Sequence, residues 1–551
     1  MTKTPTTPTT PTPSGTPTPA VAPSATGATG APAASPDAPA SAGEGRGAAS
    51  RGRSGRRPRT VVVGSGFGGL AAAIRLLSAG HEVTVIEQRP AIGGRASRIR
   101  EGGYTFDTGP SLITMPWLFD EVFAIGGSRL ADEVTLHGLD PGYRIYWTDD
   151  ERWFDFAASR DTLYREMAKF SPADAGNLDL FLEATRVIHE RGVLAAGRVP
   201  FLSPKVFASL VPTMARLDAI RSLRHYVNGY FAEPHVRQVM EFHSLFIGGN
   251  PATVPGIYSA LVYLQVADGI WYAEGGVYSV IEALGRLVER NGGRIITGDG
   301  VDRIVHDGKR VRGVRTTGGL DIAADVVVSN ADVTARERLL GGVPDRLPWR
   351  LRPYHTTMSA FMLYLGTSRR FSRLLHHTLI VGRDYHGFID RVTSNRRMPD
   401  DLCVYIHAPS RTEPAMAAPG GDSITVLLPV PNLRSGDDWT DLEPRLRDRL
   451  IDWLETEGGL TGLRDSIVVE HHWTPLTFRD ELGATDGNAF AVEPTLQQSA
   501  YFRQPNRDRV IDGLYYVGGG THPGAGMPGT LLTADVTANL ITADLAKRTL
   551  R

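Results

Sequence analysis

From Thr60 onward the chain alternates between short β-branched runs and amphipathic stretches. TVVV (60–63) leads into the glycine-rich GSGFGG (64–69), then LAAAIRLLSAG, then EVTVIE. A β-branched run, a glycine loop, Leu70, Ala73, Ile74 and Leu77 at helical spacing, a stop at Gly80 and a second β-branched run predict a strand–helix–strand unit. Further on, GGRIITGDGVDRIVHDGKRVRGVRTTGGLDIAADVVVSNAD (292–332) predicts short strands split by Gly and Asp-Gly turns, all assigned to the same sheet. The segment GLYYVGGGTHPGAGMPGTLLTADVTANLITADLAKRTL (513–550) repeats the order strand, glycine loop, long helix. The expected fold class is α/β. A Rossmann-like nucleotide-binding domain is assembled from 59–115, 287–345 and 510–551, and an interleaved α+β substrate domain from 116–286 and 346–509.

Before this pattern begins, residues 1–58 hold eleven of the 37 prolines, with Thr, Ala, Ser and Gly filling most of the rest. Such a segment lacks the apolar surface to offset ordering entropy and is predicted to be a disordered leader. Its basic end, with Arg51, Arg53, Arg56, Arg57 and Arg59, reads as a solvated linker. It has no apolar core of the secretory kind, so an intracellular location is expected. Lys+Arg 59 against Asp+Glu 60 leaves a net charge of -1, so no global field would recruit nucleic acid. The single cysteine, Cys403, forms no intrachain disulfide and supplies no Cys-rich metal site. No uncharged apolar run reaches the ~18 residues of a membrane span.

The glycine loop carries the first chemistry. Gly64, Gly66 and Gly69 form G-x-G-x-x-G directly after a strand, with Phe67 and Gly68 between them. The first glycine permits the turn, the second lets backbone approach a pyrophosphate and the third packs helix on strand. Glu87, at the end of the second strand, is placed to accept hydrogen bonds from an adenosine ribose. Gln88 follows, and Gly93-Gly94-Arg95 adds a second close approach and a guanidinium suited to phosphate. Gly518 to Gly529 is rich enough in glycine to lie against a flat ring, and Pro528 is expected to open the last helix, its N-terminus facing negative charge.

The stretch around Gly93-Gly94-Arg95 resembles the start of the amine oxidase and carotenoid desaturase flavoproteins, which implies FAD. The resemblance sharpens at Asp107-Thr108-Gly109-Pro110-Ser111, Phe242-His243-Ser244-Leu245, Leu402 to Arg411, Pro429 to Leu433, Val492-Glu493-Pro494 and above all Tyr516 to Gly529. These blocks are similar to the bacterial-type phytoene desaturases, over all but the leader. Thr533 departs from that pattern, which favours Gly or Ser. The resemblance implies FAD contacts at Gly109, Pro110, Gly519, Gly520, Met527, Pro528 and Gly529, a backbone contact from Val301 to the adenine, and a turn near flavin and substrate at Tyr272 to Val277.

It also implies desaturation of phytoene or a related linear carotene, with hydride transfer to the flavin. Oxygen or a quinone would reoxidise the flavin, and the carotene would come from the membrane. Val193–Leu217, apolar residues interrupted by Arg198, Lys205 and Arg216, is expected to lie on the inner face of the cell membrane. Desaturases of hydroxylated or shorter carotenes, an oxygenating relative, an amine oxidase and a non-catalytic prenyl-binding escort remain alternatives. Asp107, Glu493, Arg503 and His522 are acid–base candidates from blocks expected near the flavin, with no catalytic residue assigned among them. The histidines, including His243, His376, His377 and His407, lack helical metal-ligand spacing, so no metal is expected.

Overall fold

The computed structural model describes residues 56–345 and 354–549. The expected leader lies outside the described residues except for its last three positions.

Five parallel strands form one sheet, in the order Leu514–Tyr516, Val326–Ser329, Arg59–Val63, Glu82–Ile86 and Arg294–Ile296. Their valine runs are continuous because both faces of the sheet are covered. Val62, Val85, Val326 and Val328 join a helical layer, whereas Val61, Val63, Ile86 and Val327 join a second cluster with the neighbouring small sheet. In the helical layer Phe67–Ser78 is wedged among Pro116–Ile125, Val277–Arg290 and Met527–Thr549. It is therefore buried at Ala71, Ala72 and Leu76 as well as at Leu70, Ala73 and Ile74, while Leu77 is only partly covered.

Segment 292–332 does not all enter this sheet. Val301–His306, Val311–Thr316 and Asp321–Ala323 form a separate antiparallel meander. Their short links fold each strand back on the last, whereas a parallel neighbour requires a long crossover. The expected division at 286/287 also cuts the helix Val277–Arg290. Val280, Ile281, Leu284, Leu287 and Val288 of that helix are buried in the same cluster as the first helix, so it packs as part of the parallel-sheet layer.

The second layer is a seven-stranded sheet in the order Ile467–Trp473, Ser359–Thr367, Asp422–Val430, Cys403–His407, His377–Val381, Tyr143–Trp147 and Trp153–Phe156. All neighbours are antiparallel except His377–Val381 with Tyr143–Trp147. That parallel pairing joins the two inserted stretches of chain, one before and one after the parallel-sheet strands at 294–329. No described helix is long and apolar enough to cross a membrane.

Candidate active site

A cavity of about 1010 Å³ starts at the carboxyl ends of the parallel strands, beside Val63, Ile86, Asn330 and Gly518, and continues along the seven-stranded sheet. The crevice beyond the carboxyl ends is where open parallel sheets bind ligands. At Gly64 the backbone takes φ +90°, and its N–H donates to Ile86 O at 2.7 Å. The next position latches the loop to the acid: Ser65 N and Oγ donate to Glu87 Oε2 at 2.9 and 2.7 Å, while Arg89 N, two residues past the acid, donates to Oε1 at 3.0 Å. The helix Phe67–Ser78 begins without a side-chain cap or an acidic first turn. Its first N–H groups are thus left for an anion in the cavity.

Arg95 completes that end. Among the described residues its Nε has no partner, its one side-chain hydrogen bond is a 3.4 Å contact to Asn488 Oδ1, and no carboxylate pairs with it. Burial lowers its pKa, an effect Asp332 opposes. An underused cation facing a helix N-terminus across a glycine cradle is a fit for a pyrophosphate, and the adjacent Glu87 for a ribose.

Gly64, Gly66, Phe67, Gly68, Glu87, Gln88, Gly94, Arg95, Gly109, Pro110, Val301, Gly519, Met527, Pro528 and Gly529 all line the cavity. Gly69 and Gly520, which were also expected there, do not. A Cβ on Gly69 would lie 2.0 Å from Gly64 O, and one on Gly520 would lie 2.4 Å from Val333 Cγ1, so both are small because protein packs on them. Asn330 and Asp332 line the cavity and were not anticipated. Their signal is position alone, directly after the strand Val326–Ser329. The last helix starts at Met527, so Pro528 is its second residue. Thr533 Oγ1 accepts from Gly518 N at 2.9 Å and donates to Thr530 O at 2.7 Å, tying the glycine block to that helix.

The four acid–base candidates separate. Asp107 does not line the cavity: its carboxylate accepts from Val277 N (2.9 Å) and Tyr278 N (3.3 Å), capping the helix they open. Burial pushes its pKa up to about 7 despite those bonds. Glu493 lies in a smaller pocket beside Asn250 and Asp390, also raised to about 7 by burial, with Arg434 opposing. Arg503 and His522 do line the main cavity. Arg503 holds the loop through Gly519 O at 2.6 Å. His522 packs edge-on against Phe201 with neither ring nitrogen hydrogen-bonded. Burial, then Arg503, push its pKa down to about 3; the Ala196 and Val199 backbone opposes this without reaching hydrogen-bond geometry.

Histidines scattered in sequence also converge. His377 pairs with His407 across antiparallel strands, and with His376 they bring three ring nitrogens within 4.8 Å of one another. His376 Nδ1 meets Thr412 Oγ1 at 2.6 Å, the two Nε2 atoms of His376 and His407 lie 3.2 Å apart, and His377 Nδ1 meets Tyr405 OH at 2.7 Å. Adjacency of His376 and His377 hid this cluster, because only strand register brings His407 across from them.

The far arm of the cavity is hydrocarbon in character. Ile145, Leu379, Val381, Val404 and Leu427 line it from the seven-stranded sheet, and no described sheet residue lining it is charged. Phe207, Val211, Met214 and Leu217 line another part. All but Leu217 lie on the helix Pro204–Arg216, none of whose described side chains is buried; Val211 is 38% exposed.

Comparison with known proteins matches residues 67–542 to the flavin containing amine oxidoreductases. A lycopene-forming phytoene desaturase of Pseudescherichia vulneris is 39% identical over 491 residues, covering 88% of this chain and 99% of its own. A zeta-carotene-forming phytoene desaturase of Myxococcus xanthus is 36% identical, covering 88% of this chain and 94% of its own. Among solved structures, an oxidoreductase of Methanosarcina mazei superposes with a TM-score of 0.59 at 18% identity, covering 86% of this chain and 98% of its own.

Proposed function

From the premise that this chain belongs to the flavin containing amine oxidoreductase family, among its carotenoid desaturases, we propose that it desaturates phytoene or a related linear carotene. It is an FAD-dependent oxidoreductase of carotenoid biosynthesis. The observation that carries the substrate is one cavity joining the glycine cradle to the apolar wall of the seven-stranded sheet. A polyene hydrocarbon offers no hydrogen-bonding handle, so its recognition rests on shape and apolar contact, which this wall supplies.

Glu87 would hold the ribose of FAD, the N-terminus of Phe67–Ser78 and Arg95 its pyrophosphate, Val301 its adenine end, and Gly518 to Gly529 its ring. Bound there, FAD supplies the hydride acceptor. The chain's own part is to seat one carbon–carbon bond of the polyene beside the glycine block and to keep water from it. The start of Met527–Thr549 favours negative charge at the ring.

The exposed apolar residues of Pro204–Arg216 support a peripheral contact with the membrane, through which the carotene enters; oxygen or a quinone takes the electrons onward. The test is the absorption spectrum of pigment from phytoene-accumulating bacteria expressing the chain. A band moved to longer wavelength, counting the added double bonds, is expected. Colourless cells containing flavin-loaded protein would refute phytoene as the substrate.

A further inference from the structure

We propose that Ser111, Tyr405 and His377 form a proton relay that takes the proton released when the carotene is desaturated. The inference rests on the carotene reading above. It assigns Ser111 as the group meeting the substrate, with Tyr405 and His377 as positioning residues behind it.

Desaturation breaks two C–H bonds. One carbon gives up its hydrogen with the electron pair, as hydride, to FAD. The neighbouring carbon must lose a bare proton, and the electrons of that second bond become the new C=C bond. The aliphatic sheet residues that line the cavity offer that proton no acceptor. Ser111 and Tyr405 both line the cavity, Ser111 directly after the Gly109-Pro110 wall and Tyr405 among the apolar sheet residues. They stand where the cofactor end meets the hydrocarbon arm.

The three groups are in continuous contact. Ser111 Oγ lies 2.6 Å from Tyr405 OH, and Tyr405 OH lies 2.7 Å from His377 Nδ1. When Tyr405 donates to Nδ1 and Ser111 donates to Tyr405, a lone pair of Ser111 is left toward the cavity. Ser111 Oγ takes the carbon's proton and passes its own to Tyr405, whose proton goes to His377 Nδ1. His377 is fully buried, and its Nε2 has no hydrogen-bond partner among the described residues. Burial, with His376 and His407 beside it, holds its pKa well below the ordinary value, so the ring rests neutral with Nδ1 open to the Tyr405 proton and keeps that proton only in passing. Phe246, another residue of the cavity wall, packs edge-on against Tyr405 and helps fix its ring beside Ser111.

The test is anaerobic single-turnover reduction of the FAD-loaded protein by phytoene in liposomes, followed by loss of the flavin's visible absorbance in H2O and D2O. The wild-type rate is expected to be slower in D2O. Tyr405→Phe should lower the limiting rate by ~10²-fold, the scale of one positioned proton-transfer group. It should leave the phytoene concentration for half-maximal rate unchanged and abolish the solvent isotope effect. Ser111→Ala, which removes one hydroxyl, carries the same expectation should Tyr405→Phe fail to bind flavin. Equal wild-type rates in H2O and D2O, or a Tyr405→Phe protein that reacts at the wild-type limiting rate, would overturn the relay alone. Wild-type flavin that phytoene does not reduce would overturn the substrate reading on which the relay stands.

Discussion

Gly69→Ala tests whether the cradle is set by backbone packing. A Cβ at Gly69 would lie 2.0 Å from Gly64 O, a backbone atom that cannot swing aside, whereas Cβ contacts under 3.0 Å are essentially absent from proteins. The helix Phe67–Ser78 must therefore withdraw by at least about 1 Å, an overpacking that costs ~1–3 kcal/mol of stability. Its first N–H groups withdraw with it. Two hydrogen bonds to a charged phosphate, each worth ~1.5–3 kcal/mol, are then lost or stretched. At ~1.4 kcal/mol per tenfold, FAD affinity should fall roughly a hundredfold or more. Flavin content after gel filtration, an FAD titration of the stripped protein and its melting temperature measure this. A Gly69→Ala protein with wild-type flavin affinity and melting temperature would refute the close packing and the phosphate cradle built on it.

Arg95→Met removes a cation with no paired carboxylate, so FAD affinity should fall ~10–100-fold while the flavin-free protein melts no lower, as a titration and a melting curve will show. Asp107, raised from 3.8 to about 7 chiefly by burial, binds its proton more tightly folded than unfolded. Its contribution is thus full below pH ~4 and lost as pH rises to ~7, up to roughly 4 kcal/mol at ~1.4 kcal/mol per pKa unit. Asp107→Asn keeps an oxygen for Val277 and Tyr278 N–H, so its melting temperature should fall less than wild type's between pH 5 and pH 8 (roughly the range that brackets this titration). Phe207→Ser with Val211→Asp should reduce co-sedimentation with liposomes without loss of bound flavin; undiminished binding would place the membrane contact elsewhere on the protein.

The glycine loop, its flanking strands and Glu87 were legible in the sequence because their constraints are local: a turn with φ +90° at Gly64, a helix start without a cap and an acid one residue past a strand. The glycine block before Met527 was legible for the same reason. What motif reading could not separate was a glycine that faces a ligand from one that faces protein. Gly69 and Gly520 share motifs with Gly66 and Gly519, and only the positions of Gly64 O and Val333 tell them apart. Asp107 carried a motif's promise of chemistry, yet the fold spends it on capping a helix 170 residues away.

The sequence by itself determined the strand–loop–helix units and the chemistry of the cradle, since each depends on neighbours a few residues apart. Tertiary structure alone decided that Asn330 and Asp332 face the cavity, and that Ser111, Tyr405 and His377 touch. Those outcomes depend on strand register and on contacts between residues hundreds of positions apart, and no local pattern encodes them.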